Sequence, residues 1–200
     1  MQDTTNIQIR GEPISETKCK FVVDRAVLPD KSFYFGNARQ ATGSPLAEAL
    51  FKITGVTNVL ISHDTITVGK GTHEEWPVVG KQIGAAIRAS IASGQPAVSD
   101  DAFRGLPPAE ELRNRVQEIL DSQINPYVAS HGGVVRLIDV RDNNVFVQMG
   151  GGCQGCGMAN VTLRQGVEVA IRASIPEVGD ILDTTDHAAG RNPFYSPSKK

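Results

Sequence analysis

The stretch Val145-Phe146-Val147-Gln148-Met149-Gly150-Gly151-Gly152-Cys153-Gln154-Gly155-Cys156-Gly157-Met158 decides how the chain is read. Val145 to Met149 reads as a strand, and a glycine-rich loop holding two cysteines follows. A helix then runs from Met158 to Ser174, with Leu163, Val167, Ala170 and Ile171 on one face. Upstream, Val134 to Val140 is a second strand, joined to the first by the polar turn Arg141-Asp142-Asn143-Asn144, as suits an antiparallel hairpin. Before it, a helix runs from Pro108 to about Ala129 on a stripe of Leu112, Val116, Ile119, Leu120 and Ile124. Pro126 kinks or shortens this helix, and His131-Gly132-Gly133 stops it. Downstream, Pro176 ends the last helix and Val178 to Leu182 returns as a third strand. The chain from Asp183 onward has no periodicity and reads as a loose tail.

The first half reads as a separate small α+β unit. Ile7 and Ile9 alternate with polar residues, and Cys19, Phe21 and Val23 share one face of a better strand. Ser44-Pro45 is an N-cap followed by proline at the first helical position, opening a helix through Phe51. Val56 to Ile61 and Thr65 to Val68 flank Ser62-His63-Asp64 as a hairpin, and a second helix runs from about Glu75 to Ala92. The fold expectation is therefore α+β: two small domains joined by a flexible linker, each a short mixed or antiparallel sheet packed against helices. The boundaries are 1–93, a linker at 94–107 rich in glycine, proline and polar residues, 108–183, and a flexible tail at 184–200. The hexapeptide Ala-Ile-Arg-Ala-Ser-Ile stands at 86–91 and again at 170–175, ending a helix each time. We read it as shared helix-end composition rather than a repeat.

Bulk properties narrow the function. The chain has 200 residues and a formal charge of −2, and neither half hides a basic surplus, so nucleic-acid binding is not expected. No apolar run is long enough for a membrane span. The N-terminus lacks the features of a signal or transit peptide, which points to a cytoplasmic protein. Three cysteines, two of them close together, do not form a disulfide framework.

Cys153 and Cys156 are the candidate metal and cofactor ligands. A tight loop turns both sulfurs the same way, and glycine makes such a loop possible. The helix that follows brings its positive end near the thiolates, which lowers their pKa and favours an anionic guest. An all-cysteine cluster needs four thiolates, and Cys19 belongs to the other domain, where it reads as a small core residue. One chain thus offers two ligands, and a symmetric dimer is the simplest way to complete the set. On residues alone the pair has two rivals. One is a Cys-x-x-Cys dithiol oxidoreductase. The other is a zinc half-site stabilising an interaction module, for which His131 and His187 offer no convincing spacing.

Other motifs fall away. Gly69-Lys70-Gly71-Thr72 lacks the Ser or Thr that follows a P-loop lysine, and Pro77 stands where a zinc-protease helix from His73-Glu74 needs its second histidine. His63 reads as a solvated turn residue, Trp76 as packing for the second helix, and Arg164 as part of a solvated helix face. Asn160-Val161-Thr162 spells a glycosylation sequon inside a predicted helix.

The segment from Leu112 to Leu182 resembles the NifU C-terminal, or Nfu, domain. The resemblance rests on Pro126, His131-Gly132-Gly133, Gly151-Gly152-Cys153-Gln154-Gly155-Cys156 and Ile175-Pro176-Glu177-Val178. The first half resembles the Nfu N-terminal domain through Ser44-Pro45-Leu46-Ala47, Leu50-Phe51, Gly55-Val56, Ile66-Thr67-Val68 and Trp76. It departs from that pattern at Gly11-Glu12-Pro13-Ile14-Ser15. The resemblance implies a non-enzymatic carrier of a labile 4Fe–4S cluster (2Fe–2S being the alternative), held by Cys153 and Cys156 across a homodimer. It implies loading by an upstream scaffold and delivery to apo iron–sulfur proteins, with the N-terminal domain helping to recognise clients.

Overall fold

The computed structural model describes residues 6–130, 132–151 and 157–185, and for Asp30 and residues 157–165 the backbone alone. It divides into two compact units, Met1–Leu106 and Pro107–Lys200.

The first unit is built on five antiparallel strands: β1 Ile9–Pro13, β2 Lys18–Val23, β3 Leu28–Phe35, β4 Val56–His63 and β5 Thr65–Lys70. Their order across the sheet is β1-β2-β5-β4-β3. The alternation read in β2 is realised, with Cys19, Phe21 and Val23 buried. Two helices supply much of the rest of this core. From α1, Pro45–Phe51, come Leu46, Ala47 and Leu50; from α2, Trp76–Ala92, come Val79, Ile83 and Ile87. The β4–β5 hairpin turns at His63, whose φ of 49° lies in the left-handed region that polar turn residues tolerate.

Two features of this unit differ from the sequence reading. Strand β3 is absent from it, because Pro29-Asp30-Lys31 interrupts the alternation, and the register against β4 shifts between Leu28 and Ser32. The second is the stretch expected as a linker, 94–107, which packs as far as Leu106 onto the first unit. Ala97 and Val98 are buried in its core, and Ser99 N–H donates to Gly43 O at 2.8 Å. A short helix, α3 Asp100–Arg104, then sets Phe103 edge-on against Phe33 at 5.3 Å. Polar composition concealed these few apolar anchors.

The second unit has three strands: β6 Gly133–Arg141, β7 Asn144–Gly151 and β8 Ile181–Asp183. The central strand is β7, antiparallel to β6 and parallel to β8. The entering helix is α4, Ala109–Ile119, continued through one wide turn at Leu120–Ile124 into α5, Asn125–Ala129. Asn125 N–H bonds to Leu120 O, five residues back. Proline at 126 has no N–H to give and its ring crowds the carbonyl four residues earlier, so the helix widens there instead of breaking. All five stripe residues from Leu112 to Ile124 are buried, against Val135, Val147 and Met149 from the sheet and Ile171 and Ile175 at the C-terminal end of the last helix, α6 Gly157–Ser174, and just beyond it. Residues 184 and 185, expected to belong to a tail, pack instead on the second sheet. Thr184 and Thr185 are buried and bonded to β7. Among the described residues no helix is long and apolar enough to cross a membrane.

Two tests follow from these packings. Buried Ser44 caps α1, its Oγ accepting from Ala47 N–H at 3.1 Å and donating to Ala97 O at 2.6 Å. Ser44→Ala should destabilise the first unit by about 1–2 kcal/mol, read by urea titration of the fluorescence of Trp76, the single tryptophan. Asp139 ties α4 to β6. Burial raises its pKa, but bonds from Arg141, Arg113 and Val140 N–H outweigh this and hold it below the ordinary carboxylate value. A depressed folded pKa stabilises above the unfolded value, about 4, and that stabilisation is lost as pH falls through the folded one. Asp139→Asn should therefore lower the hydrogen-exchange protection of β6 and β7 at neutral pH, and the difference should close as pH falls below the ordinary carboxylate range and through the lowered folded value.

Candidate metal centre

Strand β7 delivers the chain to the cysteine loop, and it is braced on both sides up to that point. On one side, Val147 O accepts from Thr184 N–H at 2.7 Å, and Met149 N–H donates to Thr185 Oγ at 2.6 Å. On the other, Gly150 and Gly151 pair with Val134 and Gly133 of β6. The start of β6 is itself pinned by Asn125, whose side chain accepts from Val135 N–H at 2.8 Å and donates to Val135 O at 3.0 Å. This two-point bond gives an edge strand the partner it lacks there.

Glycine is required where the braced strand ends. Gly151 has φ of 65°, and a Cβ on it would stand 2.2 Å from Gly132 O. Gly132 itself has φ of 70°. Two left-handed turns are thus packed backbone to backbone, which only glycine permits. A Cβ on Gly150 would stand 3.0 Å from Arg136 Nη1, so a guanidinium lies over the strand end that enters the loop.

Cys153, Cys156, His131 and His187 lie outside the described residues, as does the loop itself. The structure gives its two ends: Gly151 closing β7, and Gly157 opening an α6 of 18 residues. The start of that helix carries partial positive charge from its free N–H groups. Cys19 is elsewhere, 2% exposed in the core of the first unit, where burial pushes its thiol above the ordinary value. Among the described residues no group of three or more His, Cys, Asp or Glu is placed to hold a metal ion. Lys70 of the P-loop-like tetrapeptide is buried, donates to Thr72 O at 2.9 Å and sits over the Trp76 ring, so its role is packing.

Comparison with known proteins meets this geometry from the other side. Residues 116–182 match the NifU-like domain family, and residues 7–94 match the family described as the scaffold protein Nfu/NifU N terminal. The human protein named NFU1 iron-sulfur cluster scaffold homolog, mitochondrial, is 31% identical over 195 residues, covering 96% of this chain and 76% of that one. The chain belongs to the Nfu/NifU-like family of iron–sulfur cluster carriers. A NifU-like protein of Schizosaccharomyces pombe is 28% identical over 197 residues, covering 93% of this chain and 76% of its own. Fe/S biogenesis protein NfuA of Stutzerimonas stutzeri is 48% identical over 85 residues, covering 42% of this chain and 44% of that protein. The α+β class and the two-domain order read from the sequence agree with these matches.

The sequence reading missed the supports of the loop. Asn125 stood unremarked beside Pro126, although asparagine before a helix-interrupting proline is a candidate for bonding backbone outside its own helix. Thr184 and Thr185 read as tail because two bonding threonines leave no periodic trace. The repeated hexapeptide does share a structural use. Ile87 and Ile171 are both buried, and the next residue, Arg88 or Arg172, reaches back to backbone carbonyls: Ile7 O in one case, Val178 O and Gly179 O in the other. Gly151→Ala should destabilise the second unit by at least about 1–2 kcal/mol from the left-handed backbone alone. The clash with Gly132 O adds to this, and amide exchange in β6 and β7 should report the loss while Trp76 fluorescence stays unchanged.

Proposed function

We propose that the chain carries an iron–sulfur cluster as cargo, bound as 4Fe–4S between two copies, each giving Cys153 and Cys156, and surrenders it to apo-proteins. The observation that carries this reading is the frame around the pair. A strand bonded on both sides ends in an obligatory glycine turn, and after five intervening residues a long helix begins. Such a frame fixes both ends of a short loop while leaving the loop itself to glycine, so two sulfurs can be held at one point without burying them in a core. The third cysteine sits in the core of the other unit with its thiol protonation favoured, so four thiolates require a second chain. A cluster shared between subunits is easier to release than one enclosed within a fold, which suits a donor rather than a resident enzyme. The free thiol of Cys19 is at home in a compartment that keeps thiols reduced, and we assign the cytoplasm.

One observation favours a second reading. Strand β7, the loop, α6 and β8 form a parallel crossover, so the pair stands between a strand and a helix as in dithiol oxidoreductases. Anaerobic reconstitution with ferrous iron and sulfide separates the two. The carrier should take up about four irons per two chains, turn brown and double in mass. Cys153→Ala and Cys156→Ala should each lose the cluster, and Cys19→Ala should keep it. Iron retained by Cys153→Ala, or a loaded monomer with no added thiol, overturns the assignment. Disulfide reduction by the metal-free monomer establishes the oxidoreductase instead.

A further inference from the structure

A groove of about 370 Å³ runs along the first unit between β1 and α2. Its two ends are tied by hydrogen bonds from helix to strand flank. Arg88 Nε donates to Ile7 O at 3.1 Å, and Trp76 Nε1 donates to Ser15 O at 2.9 Å. Between the ties the floor is apolar, with Phe21 at the base and Gly11, Gly80 and Gly84 along the sides. Gly80 and Gly84 lie one turn apart in the interior of α2, where glycine is the least favourable residue after proline. Neither is needed for close packing. A Cβ on Gly80 would meet Phe21 at 3.7 Å and one on Gly84 would meet Arg88 Nη1 at 3.4 Å, both ordinary contacts. Their lack of side chains keeps the groove open at a cost to the helix.

The groove borders a free sheet edge. Among the described residues β1 pairs with β2 alone. Asp24 N–H donates to Gln8 O and Ile14 N–H to Lys18 O, so the even-numbered residues of β1 bond inward to β2. By the alternation of antiparallel ladders, Ile9 and Gly11 turn their amides to the open edge. The same residues line the groove. The charged side chains along it are Lys81 and Arg88, both exposed. Arg10 and Glu12 alternate to the other face, where Glu12 pairs with Arg10 and Lys20.

We infer that this groove binds an extended segment of a partner protein, added antiparallel to β1, with an apolar residue flanked two positions either side by acidic ones. Lys81 and Arg88 are seven residues apart, about 10 Å along a helix. Strand residues four apart stand about 13 Å apart on one face, a span that two long side-chain pairs close. The residue midway between them falls over the glycine floor. Antiparallel addition continues the pattern of the whole sheet and uses the free amides of Ile9 and Gly11. The inference stands apart from the cluster reading, since it uses no residue of the second unit.

The test uses the full chain and the peptide acetyl-Glu-Thr-Ile-Thr-Glu-amide, followed by Trp76 fluorescence and backbone amide shifts. Saturable binding is expected, with the largest shifts at Ile9, Gly11 and Gly80. The lysine-for-glutamate peptide, and the same peptide N-methylated at isoleucine, should each bind at least tenfold more weakly. Gly80→Leu, whose side chain enters the groove, should abolish binding while the thermal transition persists. Lys81→Glu with Arg88→Glu should reverse the preference toward the lysine peptide. Absence of saturation, equal binding of the two charge types, or full binding by Gly80→Leu would overturn the proposal. So would a change in the mass of the metal-free protein caused by Gly80→Leu, which would make a second copy of this chain the occupant.

Discussion

Strand β7 is bonded along both edges until its last two residues, the glycines at 150 and 151, and the second of these is pressed against the Gly132 turn. A central strand so held cannot shift register without turning Val145, Val147 and Met149 out of the core. The position at which the chain leaves the sheet is therefore set by the packing of the whole second unit. The helix stripe of α4, the Asn125 clasp on β6 and the threonine clasp from beyond β8 all act on this one point. On the reading proposed above, in which a second chain supplies the other half of the site, such fixity matters because neither half can correct a displacement of the other.

The first unit answers a different constraint. Its sheet is wider, its core larger, and it spends glycine in a helix rather than in a strand-end turn. Gly132 and Gly151 are used because a backbone must pass where a side chain cannot. Gly80 and Gly84 are used where a side chain would fit. The first pair serves the geometry of the chain, and the second serves the space beside it.

Much of this architecture was legible because both units rest on strong periodic signals. The β2 alternation at Cys19, Phe21 and Val23, the Ser44-Pro45 helix start and the Leu112-to-Ile124 stripe each encode their element locally. What escaped was long-range. Strand β3 exists because β4 offers it an edge, despite proline and an irregular register. Residues 97 and 98 are core because Ser44 and Gly43 hold the backbone on either side, at Ala97 and Ser99. Thr184 and Thr185 matter only once β7 is beside them. Spacing marks the cysteine pair as a candidate, but its braces are side-chain bonds to distant backbone, for which Asn125 before Pro126 is a faint cue and the two threonines give none.

The threonine clasp also determines what sits near the cargo. Thr185 is level with Met149, so the polypeptide departs the sheet at the same rim from which the cysteine loop emerges. A side chain exchanged at Thr185 therefore acts directly on the strand that leads to the cysteine loop, through the backbone of Met149.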